Sequence, residues 1–98
     1  MRIRVIKSAR RDLDAIYDYW ADRASPDIAR SLIYSITDMF PLIAEFPQIG
    51  RTCDEISPGF RVFPAGKHLI YYRKERSVIK IHHILHGARD QVRAFRNN

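Results

Sequence analysis

The side chains of this chain that can move protons or hold phosphate crowd into its second half. Arg61, Arg73, Lys80, His82, His83 and His86 lie within or beside β-branched and aromatic runs. The last run, IKIHHIL (Ile79–Leu85), opens directly into HGARDQVRAF (His86–Phe95). Cutting RNA through its own 2′-hydroxyl needs a base, a proton donor and cations on the phosphate. Histidine titrates near neutral pH and can fill either proton role. Arg61, Arg73, His83 and His86 therefore form one candidate catalytic set. The same region suits binding without catalysis, because an arginine fork grips a carboxylate or phosphate at two points. Arg61, Arg73, His86, Arg89, Asp90 and Arg93 are the candidate target-binding residues. A plainer reading stands beside both. Arg61 and Arg73 suit solvated strand positions, and His83 shares a face with Ile79 and Ile81, where a histidine is usually a hydrogen-bonded core residue. His86 and Gly87 suit a strand end, and Arg89 and Asp90 a local pair.

Other chemistries find little support. The four histidines and single cysteine do not have zinc-ligand spacing, and His82 and His83, adjacent on a strand, point to opposite faces. No glycine-rich phosphate loop is present. Ser8, Ser25 and Ser57 have no nearby base and read as caps or turn residues. Cys53 has no partner for a disulfide, as expected in a reducing cytoplasm. No metal and no cofactor is implied.

These residues must be placed by a chain of 98 residues, 46% of them apolar, which is enough for one domain around one core. No apolar run approaches the roughly 20 residues needed to span a bilayer. The N-terminus, MRIRVIKSARR, is basic without the apolar core of a signal peptide, so a cytoplasmic protein with no membrane partner is expected. Charge is divided unevenly. Residues 1–50 hold seven Lys or Arg against seven Asp or Glu, and residues 51–98 hold ten against four, which accounts for the net +6. A one-sided positive field speeds association with acidic or phosphate-bearing partners.

Hydrophobic periodicity supplies the elements. RIRVI alternates arginine with an aliphatic residue, the mark of a short strand with one wet face. Ser8 is placed to cap a helix carrying Leu13, Ile16, Tyr17, Trp20, Ala21 and Ala24 on one stripe. Ser25-Pro26-Asp27 restarts the chain as a second helix, with Ile28, Ala29, Leu32, Ile33, Ile36, Met39 and Phe40 facing inward. Pro41 should kink or end that helix near Phe40, and LIAEFP has room for one more turn. Phe60–Phe63, Leu69–Arg73 and Val78–Leu85 read as strands, joined by PAGK and KERS. The expectation is an α+β fold of order β-α-α-β-β-β, a curved antiparallel sheet packed on an α-helical hairpin. On the last strand, Ile79, Ile81 and Leu85 should face one way and Lys80, His82 and Ile84 the other.

Four stretches then follow in an order that resembles the ParE branch of the RelE/ParE superfamily, the toxins of type II toxin–antitoxin pairs. They are SARRDLDAIYDYW, EFPQIGR, GFRVF leading into LIYYR, and HILHGARD. The resemblance implies a bacterial cytoplasmic toxin that binds DNA gyrase and stalls replication, neutralised by a ParD-like antitoxin. It implies no sequence-specific contact with nucleic acid. One departure is His83, which stands where ParE-like sequences usually have arginine. Two alternatives remain open: a RelE-like, ribosome-dependent messenger RNase, and an inactive module that only binds its antitoxin. The lysine-rich segment expected of the nucleases is absent, since RTCDEISPG offers Asp54 and Glu55 there. For the antitoxin, Leu13, Tyr17, Trp20, Ile33 and Tyr34 are the candidate contacts, because so small a domain cannot cover every large side chain of its hairpin.

Overall fold

A computed structural model describes residues 1–87. It places, in chain order, β1 (Arg2–Val5), α1 (Lys7–Arg23), α2 (Pro26–Thr37), α3 (Phe40–Glu45), β2 (Arg51–Thr52), β3 (Phe60–Ala65), β4 (His68–Glu75) and β5 (Val78–His86). The expected α+β order is present, with the short α3 and the two-residue β2 added to it. The strands form one sheet in the order β1-β5-β4-β3-β2. Strands β2 to β5 pair antiparallel, and β1 joins β5 in parallel, so the sheet is mixed.

Capping follows the sequence at one helix and departs from it at the other. Ser25 caps α2, its Oγ accepting from the Ile28 amide at 3.1 Å, with Pro26 in the first turn. Ser8 does not cap α1. That helix begins at Lys7 after Ile6, and the Ser8 hydroxyl donates instead to the His82 carbonyl at 2.6 Å. A tertiary hydrogen bond has replaced a local one. Helix α2 ends at Thr37, and Pro41 lies in the first turn of α3, where an N–H has no intrahelical partner to lose.

Apolar residues fill both faces of the sheet unequally. The larger cluster lies under the helices and includes Ile36, Ile43, Ile70, Tyr72, Ile79, Ile81 and Ile84, with Leu13 and Ile16 of α1 packed on it. A smaller cluster of Cys53, Phe60, Val62 and Tyr71, with Ile56, Leu69 and Leu85 against it, occupies part of the other face. Ile28 belongs to neither. It was expected on the buried stripe and is 53% exposed.

The alternation expected along β5 holds only to Ile81. Tyr72 pairs with Ile81 and Tyr71 with His83, so His82 is an extra residue, a β-bulge. One extra residue reverses every later side chain. Ile84 therefore joins Ile79 and Ile81 under the helices, while Leu85 joins the opposite cluster. This corrects the facing expected for both, and His83, which pairs with Tyr71, likewise leaves the face of Ile79 and Ile81 on which it was expected.

The bulge is held from α1. Strand β1 pairs with β5 only as far as Ile81, whose carbonyl also accepts from the Ile6 amide at 3.1 Å. Beyond it, Ser8 takes the His82 carbonyl, and Asp12 Oδ2 accepts from the Ile84 amide at 2.9 Å. The same oxygen lies 2.8 Å from His83 Nδ1. Ser8 and Asp12 are four residues apart, so one helix face serves successive polar groups of the strand.

Replacing Asp12 by Ala leaves a buried amide and a buried imidazole without that acceptor and should destabilise the fold by about 2–3 kcal/mol, against about 1 kcal/mol for Ser8→Ala. Urea unfolding of the two variants measures both. A midpoint for Asp12→Ala equal to that of the parent chain would remove the bulge from this account.

Candidate functional site

Of the two cations of the middle strands, Arg61 joins the FPQIGR loop and Arg73 lies on the other face of the sheet. Strand alternation sends Arg61 and Tyr72, which pair across β3 and β4, to the helix-facing side. The Tyr72 hydroxyl donates to the Pro47 carbonyl and accepts from the Gly50 amide, both at 2.8 Å. A Cβ at Gly50 would lie 2.6 Å from that hydroxyl, so only glycine admits the contact. Burial pushes the Tyr72 phenol up. Arg61 completes the anchor, donating to the Gly50 carbonyl at 2.8 Å and to that of Gln48 at 3.3 Å. The guanidinium thus fastens the 46–50 loop.

Arg73 pairs with Phe60 on the opposite side of the sheet. Its guanidinium lies over the Phe60 ring, 5.0 Å from the centroid, and donates through Nε to Glu75 at 3.0 Å. Lys80 Nζ and His82 Nε2 reach the same carboxylate at 2.9 and 3.1 Å. Three cationic or ionisable groups converge on one acid. The Lys80 ammonium, chiefly, with smaller help from His82 and Arg73 against the opposing effect of burial, holds the Glu75 carboxyl down at about 2. His82 is itself pushed down by burial, an effect its bond to Glu75 only partly offsets.

The proposed catalytic four are therefore not assembled. Arg61 and Arg73 lie on opposite faces of the sheet, because their alternation along β3 and β4 is set by the pairing of Phe60 with Arg73. His83 is buried against Asp12, as a core histidine, and His86 stands exposed at the end of β5 with its ring against that of His68, 5.7 Å between centroids. The grouping of Arg61 with Arg73 on one target-binding face is corrected for the same reason. Arg89, Asp90 and Arg93 lie outside the described residues. Among the described residues no three His, Cys, Asp or Glu side chains gather as a metal-binding set, and no helix is long and apolar enough to cross a membrane.

The hairpin candidates divide. Leu13 packs inward on the larger cluster and is only partly buried. Tyr17 and Ile33 are half-buried, whereas Trp20 is 38% and Tyr34 60% exposed. Tyr19 stands beside Trp20, edge to face at 5.3 Å, with Arg23 over its ring.

Asp12 and Glu75 were missed in the sequence. A signal existed for each. Ser8 and Asp12 share helical spacing, and Glu75 is the only acid between Glu55 and Asp90 in a basic stretch. Glu75→Gln should cost about 1–2 kcal/mol at neutral pH, since the carboxylate is partly solvated. A carboxyl whose folded-state pKa is depressed stabilises the fold above its ordinary value of 4.5 and loses that contribution as pH falls toward about 2. Denaturation of parent and variant at several pH values should therefore show a gap that closes below pH 4.5.

Comparison with known proteins agrees with this architecture. The family model described as the ParE toxin of type II toxin-antitoxin system, parDE, matches residues 3–91. Toxin ParE1 of Mycobacterium tuberculosis strain H37Rv is 34% identical over 84 residues, covering 85% of this chain and 86% of the relative. Toxin ParE1 of Caulobacter vibrioides is 32% identical over 74 residues, covering 71% of this chain and 73% of the relative. A solved chain of the chromosomal ParDE TA system from P. aeruginosa superimposes with a TM-score of 0.77 at 23% identity, over 88% of this chain and 95% of that one, and so shares the fold. With the family's pattern matched along nearly its whole length, and with relatives of similar size above 30% identity, the chain belongs to the ParE toxin family of type II toxin–antitoxin systems.

Proposed function

We propose that this ParE family member arrests bacterial growth from within the cytoplasm by binding DNA gyrase and blocking replication, and that a ParD-like antitoxin neutralises it. The observation that carries the preference for binding over RNA cleavage is the separation of Arg61 from Arg73 by the thickness of the sheet. A nuclease needs its cations and proton carriers around one scissile phosphate. Here the best-placed imidazole, His83, is buried on a carboxylate, and Arg61 is occupied by backbone carbonyls. A binding poison needs only a rigid surface that favours one state of its target. On this reading the target contact lies around His86 at the end of β5, with Arg89, Asp90 and Arg93 supplying its charge.

The antitoxin surface is assigned to the outer side of the hairpin. Trp20 and Tyr34 anchor it, the half-buried Tyr17 and Ile33 add to it, and the exposed Ile28 supplies apolar area that the sequence had placed in the core. Exposed aromatic side chains on two packed helices suit an amphipathic segment of a partner.

Purified chain should inhibit gyrase supercoiling or trap cleaved DNA, and Arg93→Ala should relieve the effect at least tenfold. Messages from arrested cells should be intact by primer extension. Fresh cuts within translated codons, lost in His86→Ala, would establish the RelE-like alternative in its place. Separately, Trp20→Asp and Tyr34→Asp should each weaken antitoxin binding by about tenfold or more, roughly 1.4 kcal/mol, in a titration followed by calorimetry. Melting temperatures should stay near that of the parent, because both side chains are exposed. Unchanged affinity in both variants moves the antitoxin to another surface.

A further inference from the structure

The face of the sheet away from the helices carries a charge pattern that the reading above leaves unused. Arg4 pairs with Lys80 across β1 and β5, and Lys80 pairs with Arg73 across β5 and β4. Directly opposed residues share a face, so three cations stand in one row over three strands. Like charges in such positions are destabilising. Among the described residues only Glu75 offsets them, through Lys80 and Arg73. Arg4 and Lys7 are exposed and make no ion pair among the described residues, and Arg10 of α1 donates a hydrogen bond to the Val5 carbonyl at the end of β1.

Beside this row, where β1 gives way to α1, opens a cavity of about 450 Å³ lined by Arg4, Val5, Ile6, Lys7, Arg10 and Lys80. Four of the six lining residues are cationic and none is acidic. The first turn of α1 contains no acidic residue either. The cavity and the row share Arg4 and Lys80, so they form one continuous positive surface. It lies at the opposite end of β5 from His86.

We propose that this surface binds the phosphodiester backbone of a nucleic acid without regard to base sequence. Cations repeating at the strand spacing of about 4.8 Å suit a polymer that carries a charge on every residue. Arg and Lys can pair with guanine edges, but reading adenine calls for Asn or Gln. Gln48 is the only one among the described residues, and its carbonyl belongs to the loop held by Arg61. The surface therefore has the means to hold phosphates and lacks amide side chains to read base edges. Glu75 limits its strength by occupying Lys80 and Arg73.

Fluorescence anisotropy with two labelled DNA duplexes of unrelated sequence, each of about 20 base pairs, tests this across roughly 50–200 mM salt. The full chain should bind both equally, with a slope of log affinity on log salt of about −3 to −4. Arg4→Gln, Lys7→Gln and Lys80→Gln should each weaken binding severalfold and make the slope shallower by about one. Glu75→Gln should tighten binding severalfold. Arg23→Gln and Arg30→Gln, which remove the same charge from the helices, should change little. Should Lys80→Gln or Glu75→Gln disturb the fold, Arg4 and Lys7 still decide the matter, because their side chains are exposed and support no ion pair among the described residues. No salt-dependent binding at the lowest salt overturns the proposal, as does equal weakening by the helix variants. Displacement of DNA by an equal charge of polyglutamate would assign the surface to an acidic protein and overturn it too. None of these readouts depends on gyrase or on the antitoxin.

Discussion

Strand β5 must have its polar edge satisfied along its whole length, and no single element does this. On one side β4 runs beside it from Val78 to His86. On the other, β1 is only four residues long and pairs with Val78 to Ile81. The Ile6 amide, the Ser8 hydroxyl and the Asp12 carboxylate then take over. An unpaired strand edge buried beneath a helix would leave donors and acceptors without water or partners, at a cost comparable to the stability of a small domain. The first two turns of α1 are therefore both a helix and the continuation of the sheet's edge. That constraint fixes the direction of α1 across the sheet and, through it, the hairpin.

The bulge at His82 follows from the same region and decides the chemistry of the two faces. Before it, β5 sends isoleucines under the helices and Val78, Lys80 and His82 to the other side. After it, Ile84 takes the helix side and Leu85 the far side. Without the extra residue, Leu85 rather than Ile84 would face the helices, and the far-side cluster around Tyr71 would lose a member. The far face is consequently apolar toward the β3–β4 turn and cationic toward β1. Glu75 stands within the cationic part, and its three bonds make tolerable a set of charges that would otherwise repel.

The FPQIGR stretch shows how a motif with no reactive group can matter. Gly50 lets the Tyr72 hydroxyl approach, Pro47 offers its carbonyl, and Arg61 ties the loop back to β3. An arginine that looked like a surface cation is thereby a fastening. The separation of the cations supports the proposal that the chain works by binding, and a fold with rigidly tied loops is suited to that.

Much of this was legible in the sequence, because short-range patterns have short-range causes. Period two in RIRVI, the Ser25-Pro26 start of α2, the break at Pro41 and the three late strands each rest on local sterics or capping, and each appears where the residues place it. His83 is buried as its apolar neighbours suggested, but it pairs with Tyr71 beyond the bulge and so does not share the face of Ile79 and Ile81. What the sequence did not disclose depended on partners distant along the chain. Ser8 was available to cap α1 but bonds to a carbonyl 74 residues away. Ile28 satisfied the helical stripe yet found no opposing layer. Arg61 and Arg73 were alike in composition, and only the register of β3 with β4 put them on opposite sides. The sequence by itself determined which segments are helix and strand and where charge accumulates, since these follow from side-chain type and spacing. Tertiary structure alone decided the parallel pairing of β1, the bulge and the row of cations, because registers between strands are chosen by the combined burial of residues that no local pattern connects.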